Sequence, residues 1–311
     1  MRLFALATTV LPIFLALQSM ATTHSKVALT FDDLPMHASV PDGQTRAEVI
    51  AHIIHVLKAE KIPSPIVFAN LASTEVQKEN QDIVKAWSDS GFLIGNHNYT
   101  HRSLKVLSLD DYIADFKKNE KRIKELTGHS FEKYFRYPYQ EEGDTFEKRD
   151  GFRAFLKKEK YEIAPVTIDF DDWAWNEPYA RCKNQKNDAE IFFLKQTYLD
   201  EALRHLDLST KKAHEVFGRN ISHVMLIHVG AFDSVMLQEL IQKMRKQNVE
   251  FVSLKEALKD KAYRRDGRII AMEGITFIEQ VQKSNTPTLV TNSMLTYPKQ
   301  KLETLCPAKK N

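Results

Sequence analysis

The sequence predicts an α/β fold organised as a parallel (β/α) barrel, on three observations. Short apolar runs alternate with amphipathic helical stretches along most of the chain, and parallel strands need such crossover helices. The unit recurs often enough to favour a barrel over an open sheet. Several strand-like runs also end in clustered acids, histidines or arginine. That is expected where strand C-termini share the face that carries the chemistry.

In chain order, residues 26–31 read as the first strand, and 46–60 as a helix carrying Val49, Ile53, Val56 and Leu57 at helical spacing. A second strand at 65–69 leads to a helix at 75–90 closed by Gly91. A third strand at 92–95 precedes the helix 110–127, where Tyr112, Ile113, Phe116, Ile123 and Leu126 form one stripe and Gly128 follows the end. Strand 133–135, helix 146–160 (despite Gly151) and strand 161–168 come next. A long helical region at 188–217 leads to strand 223–227, helix 234–247, strand 250–252 and the start of a helix at 255–259. The pattern fades from 261 onward, and 284–298, rich in Thr, Ser, Asn and Pro, reads as an extended tail.

The 311 residues are 43% apolar and 27% charged, with net charge +3 and a pI near 8.6. This suits one large domain with insertions. Mild basicity fits a polyanionic surface without demanding nucleic acid. Residues 1–21 read as an export signal: Arg2, an uncharged apolar run over 3–17, and the small residues Ser19 and Ala21 at a cleavage site. The run is shorter than the ~20 residues of a membrane-spanning helix, so the expected location is periplasmic or secreted. Cys182 and Cys306 are then either one disulfide or two separate buried thiols.

Five strand-like segments end in unusual polar residues: Asp32 and Asp33; Asn96, His97 and His101; Arg136; Asp169, Asp171, Asp172 and Trp173; and His228. Each alone has an ordinary structural reading, but a barrel brings all of them to one mouth. His97 and His101, four apart, suit a late divalent metal if a carboxylate from another strand completes the set. Of two adjacent acids, one can bind the metal while the other takes a proton from water. Arg136 can orient that base. His228 is placed to act as general acid, with Asp169 holding its ring.

Laid out in this order, the chain resembles the polysaccharide deacetylase superfamily (the NodB homology domain, carbohydrate esterase family 4) over residues 26–260. The family's T-F-D-D-G-P is met by TFDDLP from Thr30 to Pro35, and its H-(S/T)-x-x-H by His97 to His101. R-x-P-Y is met by Arg136 to Tyr139, D-x-x-D-W by Asp169 to Trp173, and L-x-I-H by Met225 to His228. The resemblance implies a distorted barrel of about seven strands. By the same resemblance Asp32 is the catalytic base, Asp33, His97 and His101 are the metal ligands, and Arg136 orients the base. The Tyr139 backbone N–H serves an oxyanion hole, Asp169 tunes His228, Trp173 walls the pocket and Leu226 lines the acetate groove. Leu34 replaces the family's Gly, which is expected to alter the turn and narrow the groove. Asn98 replaces Ser or Thr, and 176–220 reads as a helical insertion.

The implied activity is metal-dependent removal of N-acetyl groups from an amino-sugar polymer, with Zn²⁺ ahead of Co²⁺ or Ni²⁺. Peptidoglycan N-acetylglucosamine leads as substrate; chitin oligomers, another exopolysaccharide and O-acetyl xylan are alternatives. Two other classes stand beside it: a non-catalytic carbohydrate-binding protein on the same fold, and an amidohydrolase for small amides. The expected partner is an N-acetylated glycan, with neither nucleic acid nor stable membrane insertion. The expected division is signal 1–21, deacetylase domain 22–260 and C-terminal extension 261–311. His52 and His55 read as structural, His37 as a loop residue and Trp87 as core; Trp175 is left open beside the pocket wall.

Overall fold

A computed structural model of the chain describes residues 24–128, 131–271, 273–285 and 299–307. The export signal expected at 1–21 and most of the tail expected at 284–298 lie outside the described residues. Seven parallel strands make the sheet: β1 (Ser25–Leu34), β2 (Ile66–Ala69), β3 (Leu93–Asn96), β4 (Phe131–Phe135), β5 (Glu162–Ile163), β6 (His223–His228) and β7 (Val249–Val252). The order is β5-β4-β3-β2-β1-β6, with β7 also on β1. β6 pairs with Val27 to Asp32 of β1, overlapping the stretches taken by β7 (Ser25 to Ala28) and by β2 (Thr30 to Leu34). A strand has two edges, so β2 and β7 share one and β6 holds the other.

The long strand expected at 161–168 is only two residues of β5, followed by an Ile168–Met225 bridge to β6. Pro165 lacks the N–H a continuous ladder needs. The segment still spans from β4 to β6, with Leu226 N–H donating to Ile168 O at 3.0 Å, and it curls the sheet into a distorted barrel.

Among the described residues the helices are α1 (Arg46–Ala59), α2 (Lys78–Asp89), α3 (Leu109–Thr127), α4 (Phe146–Lys158), α5 (Asn176–Asn184), α6 (Asp188–Phe217), α7 (Ala231–Lys246), α8 (Leu254–Ala257), α9 (Phe277–Asn285) and α10 (Lys299–Thr304). Side-chain caps fix several starts. Thr45 and Glu48 form a capping box on α1, and Ser108, Thr145 and Asn187 cap α3, α4 and α6. The helix expected from 75 starts at Lys78, because Ala72–Glu75 forms a separate 3₁₀ turn.

Strand alternation sorts the core. Val27, Leu29 and Phe31 of β1 pack outward with the helices, whereas Ala28 joins Ile66, Phe68, Val224 and Val252 inside the barrel. The region after 261 packs more firmly than its sequence suggests. Ala262, Phe277, Ile278 and Val281 form a core with Ala213 and Ile221, over helical pieces too short to show a period. Cys182 and Cys306 are bonded, tying the chain end to α5. Trp175 is buried in the core, its Nε1 donating to Thr197 Oγ1 at 3.0 Å, so it does not wall the pocket.

Candidate active site

Alternation alone would send Asp32 inward and Asp33 outward. Asp33 instead adopts φ 65°, and the β1–β2 register shifts between Asp32 and Leu34. Both carboxylates therefore reach one cavity, and Leu34 returns to the outer core, 0% exposed. The expectation that Leu34 narrows the groove is thus corrected: its side chain faces away from it, and Leu34 is not among the residues with positive φ, so glycine's freedom is not required there.

Asp33, His97 and His101 bring one ligand atom each within 4.8 Å of the others. His97 Nδ1 lies 2.8 Å from Arg136 O and so donates to it, leaving the Nε2 lone pair toward Asp33. Burial, then the charge of His97, push His101 down to about 4 against the pull of Asp33 and Asp32, which keeps its imidazole neutral near neutral pH. Burial opposes ionisation of Asp33, but the hydrogen bond from His37 and the surrounding histidines, protonated His228 among them, hold it well below the usual carboxylate range. Two imidazoles and one carboxylate fit a divalent cation with positions left open. His37 Nδ1 (3.0 Å) and Asn70 Nδ2 (2.6 Å) brace the Asp33 oxygens. The sequence marks His37 only as a loop residue, and Asn70 belongs to none of the five motifs. Yet His37 stands four residues after Asp33, the same spacing that singled out His97 and His101.

Asp32 faces the same cavity, its Oδ1 accepting from Arg136 Nη1 at 2.8 Å. Arg136 is 1% exposed; its Nε donates to Ala164 O at 3.2 Å, and its guanidinium lies 4.3 Å from the centre of the Phe68 ring. Phe68 reaches that position because β3 offers Gly95, where a Cβ would sit 2.6 Å from the ring.

Across the cavity, His228 Nδ1 donates to Asp172 Oδ1 at 2.9 Å and His228 N–H to Asp172 Oδ2 at 2.6 Å. Asp169, expected in this role, instead accepts from Asp171 N–H and Gln140 Nε2. The left-handed turn at Asp171 (φ 56°) redirects the chain and carries Asp172, not Asp169, beneath β6. Asp169 still lines the cavity. Burial disfavours a charged His228, but the charge and hydrogen bond of Asp172, with Asp33 and Asp32, hold it protonated well above the usual histidine range. Behind Asp172, fully buried Asp233 accepts from Asn176 Nδ2 (2.7 Å) and Tyr198 OH (2.9 Å). Burial and the charge of Asp172 push Asp233 well above the usual carboxylate range.

The cavity measures about 430 Å³ and also takes in Tyr139, Trp173 and Leu226. Tyr139 stands edge-on to His101, with ring centres 4.6 Å apart. Two contributors were not legible in sequence: His205 from α6, and the segment from Glu273 to Glu279. Neither lies near a strand end or in a motif.

The sequence profile of the polysaccharide deacetylase family matches residues 19–154. A peptidoglycan-N-acetylglucosamine deacetylase of Bacillus cereus is 27% identical over 149 residues, 48% of this chain and 46% of that protein. The chain thus matches about half the length of this relative. Among solved structures, the chitin deacetylase of Colletotrichum lindemuthianum superposes with a TM-score of 0.53 at 23% identity, covering 76% of this chain and 88% of that one. A CE4 family pseudoenzyme of Bacillus anthracis superposes with 0.52 at 19% identity, covering 76% and 66%. These likenesses share the curled parallel sheet with flanking helices.

Proposed function

We propose that the chain is a member of the polysaccharide deacetylase superfamily, whose profile matches residues 19–154, and that it is an exported, metal-dependent hydrolase that removes N-acetyl groups from an amino-sugar polymer, with peptidoglycan N-acetylglucosamine as the leading substrate. One observation carries this reading. A two-histidine, one-carboxylate set lies between an arginine-paired carboxylate and an aspartate-paired histidine in a single cavity. The Bacillus cereus relative supports the substrate.

Asp33, His97 and His101 would hold the cation, with Zn²⁺ favoured by the donor set. When bound it would lower the pKa of a water and polarise the acetyl carbonyl. Asp32, oriented by Arg136, accepts the proton of the attacking water. The Tyr139 N–H donates to the developing oxyanion. His228 gives its proton to the departing nitrogen, since an amide anion is too basic to leave unprotonated. The C–N bond breaks, and acetate and a free amine result. Asp169 and Gln140 fix one wall, and Trp173 and Leu226 shape the space for the sugar and its acetyl group.

Acetate release from peptidoglycan and from N-acetylglucosamine oligomers, before and after chelation, tests this. Release that stops on chelation and returns with Zn²⁺ is expected. The pseudoenzyme neighbour supports a second reading, a glycan binder without turnover. Oligomer binding with no acetate from any acetylated glycan would favour it.

A further inference from the structure

Two left-handed turns flank the active-site cavity, and one carboxylate joins them. In the first, Tyr139 and Gln140 hold φ of 58° and 55° in succession, a conformation that residues with a Cβ disfavour. The second is at Asp171, with φ 56°. Asp169 stands between the two. Its Oδ2 accepts from Gln140 Nε2, and its Oδ1 accepts from Asp171 N–H at 2.9 Å.

The first turn sets a peptide plane. Gln140 N–H donates to Tyr137 O at 3.0 Å, and Glu141 N–H to Pro138 O at 3.2 Å. Pro138 O and Tyr139 N–H belong to one planar trans peptide and point opposite ways. Whatever keeps Glu141 N–H on Pro138 O therefore aims the Tyr139 N–H. Gln140 immediately precedes Glu141, and its disfavoured backbone must be held for that bond to form. Its side chain is tied to Asp169. Gly274 closes the other side of the turn: an added Cβ there would lie 1.8 Å from Tyr139 O and 3.4 Å from Gln140 Cβ.

The second turn brings Asp172 to His228. Asp169 is itself anchored from α6. His205, 2% exposed, donates from Nδ1 to Asp169 O, and its Nε2 accepts from Arg204 Nη2 at 2.9 Å. This accounts for His205 beside the cavity without giving it a part in proton transfer.

We propose that Asp169 is a positioning residue that couples the two turns. Through Gln140 it aims the Tyr139 N–H at the developing oxyanion, and through Asp171 it seats Asp172 under His228. The proposal rests on the deacetylase reading above, with the Tyr139 N–H as oxyanion donor.

The test measures kcat and KM for acetate release from N-acetylglucosamine oligomers by the Zn²⁺-loaded protein, beside metal content and thermal midpoint. Gln140→Ala keeps the Cβ that resists the turn and loses the tie to Asp169. Its kcat should fall about tenfold or more, with KM within about twofold, since an oxyanion donor acts in the transition state. Gln140→Gly also loses the tie but adopts the turn without that resistance, so its kcat should exceed that of Gln140→Ala by about fivefold or more. A side chain that merely lined the cavity would lose equally in both. Asp169→Asn keeps an acceptor for Asp171 N–H and can pair its amide with that of Gln140, so its kcat should stand about fivefold or more above that of Asp169→Ala. Equal kcat in the two Gln140 variants, wild-type kcat in Gln140→Ala, or Asp169→Asn as slow as Asp169→Ala each overturns the coupling and leaves the deacetylase reading standing. Both Gln140 variants should match the wild type in metal content and thermal midpoint; loss of metal would place the effect at the cation and also overturn the coupling. Absence of acetate release by the wild type from every acetylated glycan overturns both readings.

Discussion

Asp172 accepts from both the ring and the backbone of His228, and this fixes a sign for the pH dependence. His228 must carry a proton to act as an acid, and its neighbours hold that proton well above the ordinary value of 6.5. Turnover should therefore persist into alkaline pH and fall only as the raised pKa is crossed. The same group stabilises the fold below its unfolded pKa and loses that contribution as pH rises through the folded one. Asp172→Asn removes the charge, so the alkaline limb of kcat/KM should move down by roughly one unit or more, about 1.4 kcal/mol per unit. An unmoved limb would return the role to Asp169. The two acids of TFDD divide similarly. Asp32→Asn should keep bound metal while kcat falls by about 10² to 10⁴, and Asp33→Ala should lose both, read by metal analysis beside kinetics. His37→Ala, which leaves all three ligands in place, should weaken metal affinity about 10- to 100-fold. Most of these residues were legible because each ends a strand. The partner of His228 was not, because a left-handed turn at Asp171 is set by tertiary contacts that the motif's spacing does not encode.

At the scale of elements, the alternation of β1, β3, β4 and β6 carries most of the site. Residues 28, 30 and 32, or 224, 226 and 228, lie on the barrel-facing side of their strands by period alone, and the sequence pattern revealed this. Close approaches between elements were hidden. Gly95 admits Phe68, and Phe68 supports Arg136; the Gly274 backbone packs on Tyr139. A methyl group at position 274 must displace the Tyr139 backbone, the same backbone proposed to supply the oxyanion donor. Because small misplacements of a reacting geometry cost up to ~10²-fold, Gly274→Ala should lower kcat at least tenfold with little change in metal content. A variant with normal kcat would show that the Tyr139 backbone tolerates the shift and weaken its assigned role.

For the whole molecule, the question is what the two helices of 176–220 and the C-terminal region do for a barrel that already holds the catalytic residues. α5, α6 and α7 converge on Asp233 through Asn176 and Tyr198, so the insertion buttresses the acid side of the site. The disulfide then fastens the far end of the chain to α5 across 124 residues. In the chain-entropy view a loop of that length constrains the unfolded state by about 4–5 kcal/mol, an upper bound where strain or residual structure intervenes. Cys182→Ser with Cys306→Ser should therefore lower the thermal midpoint, by on the order of 10 °C. The location of the bond gives the experiment a second reading. None of the metal ligands, Asp32 or His228 lies on α5 or α10, so at temperatures where the reduced protein stays folded the intrinsic cleavage step should be intact. Its kcat should then match that of the disulfide-bonded protein. A fall in kcat on every substrate, at a temperature where circular dichroism shows the fold retained, would mean that the segment around Cys306 bears on the catalytic residues themselves and that the barrel's chemistry depends on α10.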